Sequence, residues 1–243
     1  MRNCIVQYFI DPRLYSDPEY NNLSNEQDNF AKLSEQSFRA YAERYNCDYQ
    51  LITQPKLKYR HPTFERFDLW LDATWWERYD QILYVDSDVF AMPGAPDVFA
   101  QYNNIETLKV CESNKFQNAS CQEHYDQLQQ GLVTNTDIEI IKQRGFQPGV
   151  FILNKHVVEK TKKWIEQYQT FDTHDGDILL WAVCNSAVGI ERLSWKFNYK
   201  RAYFSDAPKI YFFHAAGRKK TVDHTKQRIL SFLKRNGIEL SNK

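Results

Sequence analysis

Asp86-Ser87-Asp88 places two carboxylates one residue apart directly after the apolar run Ile82-Leu83-Tyr84-Val85. Side chains at such a strand end can turn together toward one hard cation. Magnesium or manganese held by two carboxylates keeps coordination positions open for phosphate oxygens. His214 likewise follows an apolar run, Ile210-Tyr211-Phe212-Phe213. An imidazole added to two carboxylates suits a borderline metal such as manganese better than an all-oxygen set does. Gly217 and Lys220 lie three and six residues further on, where a glycine would admit a phosphate close to the backbone and an ammonium would sit upon it. The plainer readings are a surface Asp-Ser-Asp turn and a strand-end histidine followed by a basic loop.

For these residues to meet, the elements around them must build a sheet. Cys4 to Ile10 is a short β-prone run that leads into a polar, turn-rich loop from Asp11 to Leu23. Ser24 and Gln27 form a capping box, after which Phe30, Leu33, Phe38, Tyr41 and Tyr45 recur at helical spacing. Tyr49 to Thr53 reads as a second strand. From Thr63, the positions Phe64, Phe67, Leu71 and Trp75 predict one further helix with an aromatic face. Gln81 to Val85 is a third strand, and Pro93 and Pro96 are expected to block any strand beyond it. Strand, helix, strand, helix, strand is the pattern of right-handed βαβ units in a mostly parallel sheet. Ligands of such sheets bind outside the carboxyl ends of the strands, which is where Asp86 and Asp88 fall.

Downstream, strands are expected over Leu108 to Cys111, Gly149 to Leu153, Ile190 to Leu193 and Lys209 to Phe213. Helix and long loop fill Glu112 to Arg144. Helices are expected over His156 to Tyr168 and Gly176 to Val183, with an amphipathic basic helix over Thr221 to Arg235. No internal repeat and no sharp shift in composition interrupts the chain. One domain is therefore expected over residues 1–243, with a nucleotide-type half at 1–111, an acceptor and donor-sugar half at 112–220 and a C-terminal basic helix at 221–243.

Composition narrows the function classes. Among 243 residues, 31 basic side chains balance 31 acidic ones, which argues against a nucleic-acid partner. Hydrophobic residues at 42% and aromatics at 15% support a well-filled core and exclude a disordered chain. No run approaches the roughly 20 apolar residues that span a bilayer. Met1 to Ile10 reads as a mature strand rather than a signal peptide, because Gln7 interrupts it and Asp11 ends it. Five scattered cysteines without a C-x-x-C pair suit reduced thiols, so a cytoplasmic protein is expected. The tail from Gly217 carries eight Lys or Arg and an apolar stripe of Ile229, Leu230, Phe232 and Leu233. Such a helix could dock at the periphery of an anionic membrane, although it more commonly packs on its own domain.

Taken in order, Asp86-Ser87-Asp88, Gly149-Val150-Phe151-Ile152-Leu153-Asn154, Asp175-Gly176-Asp177-Ile178-Leu179 and His214-Ala215-Ala216-Gly217-Arg218-Lys219-Lys220 resemble the motifs of GT-A nucleotide-sugar glycosyltransferases. The match is closest to glycosyltransferase family eight, which includes glycogenin and the bacterial lipopolysaccharide α-galactosyl- and α-glucosyltransferases. The stretch Pro62 to Val89 also resembles α-xylosyl- and α-galactosyltransferases of plants and yeasts.

The resemblance implies an α/β GT-A fold with a central mixed, mainly parallel sheet flanked by helices. It implies manganese- or magnesium-dependent transfer of a hexose or pentose from a UDP-sugar to a hydroxyl of a glycan, glycolipid or glycoprotein, with retention of configuration. Asp86, Asp88 and His214 match the metal ligands, and Gly217 and Lys220 match the pyrophosphate-binding turn. Arg66 matches the arginine that reaches the sugar and diphosphate. Tyr8, Ile10 and Tyr15 fall where the family holds uridine, and Ser87 falls against the ribose. Asp175 and Asp177 match the acidic pair that faces the donor sugar. Two positions depart from the pattern. Gln147 stands where the family has Asn, and Gly176 stands where it has Gln, so one sugar contact and the geometry of the chemical step are expected to differ.

Elementary chemistry agrees with such a site. Breaking a glycosyl-phosphate bond builds negative charge on the diphosphate and positive charge on the sugar, which calls for cations at one end and carboxylates at the other. Other readings stay open. A metal-dependent phosphatase or nucleotidyltransferase could use Asp86 and Asp88, although Phe90 stands where aspartyl-phosphate phosphatases want Thr or Val. A non-catalytic relative could bind a nucleotide sugar without turnover. Arg66 could pair with Glu65 or Asp68 on a solvated helix face, and Asp175 could cap the helix beginning near Gly176. Trp70, Trp75 and Trp76 read as core and rim, whereas Trp181, Trp195 and Tyr199 are candidates for stacking on an acceptor sugar.

Overall fold

Two runs without polar alternation, Asn3–Tyr8 (β1) and Gln81–Val85 (β3), lie side by side and are buried on both faces. That pattern belongs to a parallel sheet covered on each side. The computed structural model describes residues 1–11, 14–15, 26–59, 61–112, 146–168, 174–186, 188–200, 210–215 and 223–238. The other strands are Asp48–Ile52 (β2), Val89–Ala91 (β4), Thr107–Glu112 (β5), Phe146–Asn154 (β6), Gly189–Leu193 (β7) and Phe212–His214 (β8). The six-stranded sheet runs β2-β1-β3-β6-β5-β7, and β4 pairs with β8 in a small second sheet.

β1 is parallel to β2 and β3, β5 is parallel to β7, and β6 alone runs against its neighbours β3 and β5. The sheet is thus mixed and mainly parallel, as expected. Its direction sets the function: the carboxyl ends of β3, β5 and β7 share one edge with the amino end of β6. Alternate residues feed opposite cores. Cys4, Val6, Ile82, Tyr84, Phe151 and Leu153 face one cluster, and Ile5, Leu83, Val85, Val150 and Ile152 face the other.

Glu26–Tyr45 (α1) buries Phe30, Leu33, Phe38 and Tyr41, the stripe its spacing predicts. It ends where Asn46 takes φ 52° and Cys47 N–H returns to the Ala42 carbonyl at 3.1 Å, a left-handed cap that a short polar side chain tolerates. The capping box at Ser24 and the stretch from 113 to 145 lie outside the described residues.

The single helix expected from Thr63 is three short pieces instead: a 3-10 helix Pro62–Phe67, then Asp68–Leu71 (α2) and Thr74–Arg78 (α3). Asp72 breaks the run. Its backbone is extended and its Oδ1 accepts from both the N–H and the hydroxyl of Thr74, so it restarts the chain rather than continuing the turn. The break lets Trp70, Trp75 and Trp76 all enter the core, with each indole N–H bonded, to Thr161, Asp68 and the Leu69 carbonyl respectively.

Two strand expectations also change. A strand does follow Val85: β4 fits between the Asp86–Val89 turn and Pro93. It is sustained on one side by β8 and on the other by α1, where Ser34 donates to the Val89 carbonyl and Ser37 accepts from Ala91 N–H at 3.0 Å. The strand expected over Lys209 to Phe213 is shifted to Phe212–His214, because pairing with β4 carries it to Val89 opposite His214.

Val98–Gln101 (α4) is capped by Asp97, and Lys155–Tyr168 (α5) by Asn154, whose Oδ1 accepts from Val157 N–H at 3.0 Å. Asp175–Asn185 (α6) starts one residue before the expected point, with His174 in the cap position. Asp175 is therefore the first helical residue and not the cap, and its carboxylate is turned elsewhere. In Asp223–Arg235 (α7), Ile229 and Leu233 are buried with Phe30, Phe90 and Phe213. The apolar stripe of the basic helix thus packs on its own chain. Among the described residues no helix is long and apolar enough to cross a membrane.

Candidate active site

The turn after β3 is fixed from three sides. Asp86 N–H donates to the Gly149 carbonyl at 2.9 Å, and Val89 N–H closes the turn on the Asp86 carbonyl at 3.0 Å. Behind it stands Gln7, 1% exposed, whose Nε2 donates to the same Asp86 carbonyl at 3.1 Å and to Ser34 Oγ at 2.8 Å. Its Oε1 accepts from the Tyr49 hydroxyl at 2.6 Å. A fully bonded buried amide of this kind rigidifies what it touches. In the sequence Gln7 stands out only as the polar residue within an otherwise apolar run, and that is the one local signal of its role.

β8 delivers His214 to the same place. Ala215 N–H donates to the Asp88 carbonyl at 2.9 Å, and His214 Nε2 lies 3.2 Å from Asp88 Oδ1 and 3.8 Å from Asp86 Oδ2. Neighbouring ligands of a small octahedral divalent ion stand about 3 Å apart. The three side chains, whose ligand atoms all lie within 4.8 Å of one another, therefore fit a shared cation. The strand behind them makes room for it: a Cβ on Gly149 would fall 2.5 Å from His214 Cε1 and 2.7 Å from Asp86 Oδ2. Only glycine admits both side chains here.

Arg66, 4% exposed, bridges this group to α6. Its Nε donates to the Thr63 carbonyl at 3.0 Å and its Nη1 to the Pro148 carbonyl at 2.9 Å, while Nη2 reaches Asp86 Oδ1 at 3.2 Å. Asp175 Oδ2 is 2.9 Å from Nε, a charge contact without a proton, because that N–H is committed to Thr63. The oxygen is buried and accepts no hydrogen bond. The guanidinium also lies over the Tyr84 ring at 4.6 Å, and Tyr84 donates its hydroxyl to Asp86 Oδ1 at 2.6 Å.

The electrostatics follow. Burial alone would lower the Arg66 pKa, but Asp175, Tyr84, Asp86 and Asp88 reverse this and hold it above its ordinary value. Burial pushes the Tyr84 phenol far upward, so it stays a donor. The solvated-helix reading of Arg66 is overturned. Its neighbour Glu65 is wholly buried and accepts the N–H groups of Lys56, Leu57 and Lys58 and the Tyr15 hydroxyl.

The structure thus brings Arg66, Asp86, Asp88, Asp175 and His214 together. Ser87 sits partly exposed at the tip of the turn, and Asp177 partly exposed in the first turn of α6. Gln147, at the start of β6, accepts from the Lys200 ammonium. Tyr8, Ile10 and Tyr15 are buried together next to the Arg66 segment, with the Tyr8 hydroxyl donated to Asp68 at 3.2 Å and that of Tyr15 to Glu65 at 2.8 Å. Gly217 and Lys220 lie outside the described residues. Trp181 is core, which removes it as a stacking surface, whereas Trp195 is 50% exposed with its ring 5.6 Å from that of Tyr199.

No protein-family model and no curated protein sequence matches the chain. Solved structures do. A glycosyltransferase involved in the glycosylation of the major capsid of PBCV-1 aligns with a TM-score of 0.62 at 11% identity, over 96% of this chain and 98% of that one. The galactosyltransferase LgtC, in complex with donor and acceptor sugar analogues, aligns at 0.52 and 16% identity over 98% of each chain. Mouse xyloside xylosyltransferase 1 aligns at 0.51 and 13% identity, over 91% of this chain and 99% of its own. The chain has the α/β fold of the GT-A glycosyltransferases.

Proposed function

We propose that the protein is a metal-dependent glycosyltransferase that moves a hexose or pentose from a UDP-sugar to a hydroxyl acceptor with retention of configuration. The observation that carries this reading is the convergence of Asp86, Asp88 and His214 on one cation-sized space, with the buried cation Arg66 against Asp86 and Asp175 beyond it. Manganese or magnesium held by the first three would supply positive charge where the diphosphate leaves.

The chain's own residues do the rest. Arg66 is a permanent cation held by two backbone carbonyls, so its charge is aimed before the reaction and costs no reorganisation during it. Asp175 offers a buried oxygen that lacks a proton donor, which a donor-sugar hydroxyl would satisfy, and its charge faces the positive character that develops on the ring. Asp177 adds a second carboxylate one residue beyond Gly176. Ser87 meets the ribose, Tyr8, Ile10 and Tyr15 support the uridine side, and Gly217 and Lys220 close on the diphosphate. The acceptor stacks on Trp195 and Tyr199. Retention is carried over from the resemblance of the ordered motifs.

The test is a thermal-shift panel of UDP, GDP and CMP with and without manganese, on wild type and Asp88→Ala. UDP with manganese should raise the midpoint in wild type only, and UDP-sugars should be slowly hydrolysed. Release of phosphate from simple esters by a protein indifferent to every nucleotide would overturn the reading in favour of a phosphatase.

A further inference from the structure

We infer that Asn198 is the positioning residue of the metal site: its side-chain carbonyl fixes the tautomer and orientation of His214, so that Nε2 faces Asp86 and Asp88 with its lone pair. The inference rests on the functional reading above for the metal, and on geometry for the contact. Asn198 Oδ1 is 2.7 Å from His214 Nδ1, and both residues are buried, at 8% and 5% exposure. A neutral imidazole carries one ring proton. If Asn198 accepts it at Nδ1, Nε2 is left as the ligand atom; if it sat on Nε2, it would occupy the space that a cation must fill.

The backbone is built to hold this pair in register. Asn198 closes the 3-10 helix Trp195–Asn198, in which Ser194 Oγ accepts from Lys196 N–H and Phe197 is sunk in the core against Phe212. Tyr199 N–H then donates to the Phe212 carbonyl at 3.0 Å, and His214 N–H donates to the Tyr199 carbonyl at 2.8 Å. Two bonds from one residue thus bracket Phe213 and lock Asn198 beside His214.

The amide itself is costly where it stands. Its Nδ2 is buried with no hydrogen-bond partner, so folding alone would be better served by an apolar side chain. Among the described residues, the bond to His214 is the one contact that explains an Asn.

The experiment measures manganese affinity by calorimetry on wild type, Asn198→Leu, Asn198→Asp and Asp88→Ala, together with the imidazole 15N shifts of the metal-free proteins. His214 is assigned by the loss of its signals in His214→Gln. Asn198→Leu should weaken manganese binding about 10- to 100-fold and release His214 from the Nδ1–H tautomer. Asn198→Asp, which keeps the acceptor, should bind near wild-type strength. If Asn198→Leu does not fold, Asn198→Ser, too short to reach the ring, carries the same expectations. A folded Asn198→Leu with wild-type affinity, or a wild-type His214 protonated at Nε2, overturns the inference. Should wild type bind no manganese at all, the functional reading fails, and the 15N shifts still decide the role of Asn198.

Discussion

Gln7 Nε2 donates to the backbone carbonyl of Asp86 at 3.1 Å, across 79 residues of sequence. The first strand of the chain therefore holds the Asp86–Val89 turn from behind, through a side chain that is almost wholly buried. Replacing Gln7 with Leu leaves the Tyr49 hydroxyl without its acceptor and takes one donor each from Ser34 Oγ and the Asp86 carbonyl. The expected loss is about 1–3 kcal/mol of stability for the stranded polar groups. Urea unfolding should show it, and the same variant should bind manganese more weakly because the Asp86 carbonyl is then held by Val89 N–H alone among the described residues.

Gly149→Ala tests the space between the ligands. Its methyl would stand 2.5 Å from His214 Cε1, so the imidazole must leave its position. Overpacking of this kind costs roughly 1–3 kcal/mol, which the large two-sided core should survive. Differential scanning should find a folded variant whose midpoint no longer responds to manganese. A preserved metal response would show that His214 is not a ligand.

Arg66→Lys keeps the charge and loses the fork. One ammonium cannot reach Thr63, Pro148, Asp86 and Asp175 at once. Loss of one preorganised charge contact typically lowers kcat about a hundredfold or more. Steady-state kinetics with a UDP-sugar should show that fall with manganese affinity largely retained, and an unchanged kcat would remove Arg66 from the chemistry.

Trp195→Ala separates acceptor from donor. The side chain is half exposed, so its removal leaves the core intact. The acceptor KM should rise about tenfold, equivalent to about 1.4 kcal/mol, while hydrolysis of the UDP-sugar in water stays unchanged. A parallel fall in transfer and in hydrolysis would place Trp195 on the donor side instead.

Lys109 gives a pH signature remote from the site. Burial in β5 pulls its pKa from the ordinary 10.5 down to about 8, with Glu191 only partly opposing the shift. Between those values the unfolded chain holds a proton that the folded chain has released. Stability therefore rises with pH across that window. Against Lys109→Met, wild type should gain stability as pH rises from about 8 toward 10.5, as read by urea midpoints. A gap between the two proteins that is constant with pH would refute the buried, depressed lysine.

What the sequence made legible is what depends on near neighbours. Continuous apolar runs mark β1 and β3, helical spacing marks α1, and the position of Asp86 and Asp88 after a buried run marks the sheet edge at which His214 and Arg66 meet them. The break at Asp72 was locally encoded too, in an Asp followed two residues later by Thr, but the aromatic periodicity across it was the louder signal. What stayed hidden is settled by distant partners. Gln7, Tyr84 and Asn198 are ordinary polar or aromatic residues until the sheet sets them against Asp86 and His214. Local spacing offers Arg66 only helix neighbours, while its partners sit on three other segments, at residues 86, 148 and 175.

That dispersal has a consequence for the life of the chain. The small β4–β8 pairing is what brings His214 to Asp88, two residues that lie far apart in the sequence. A chain in which β8 has not yet paired holds Asp86 and Asp88 without His214, so on the proposed function a cation at this site would follow the folding of β8 and not nucleate it. Metal loading would then be a certificate of completion, granted only to molecules in which strands distant in sequence have already paired.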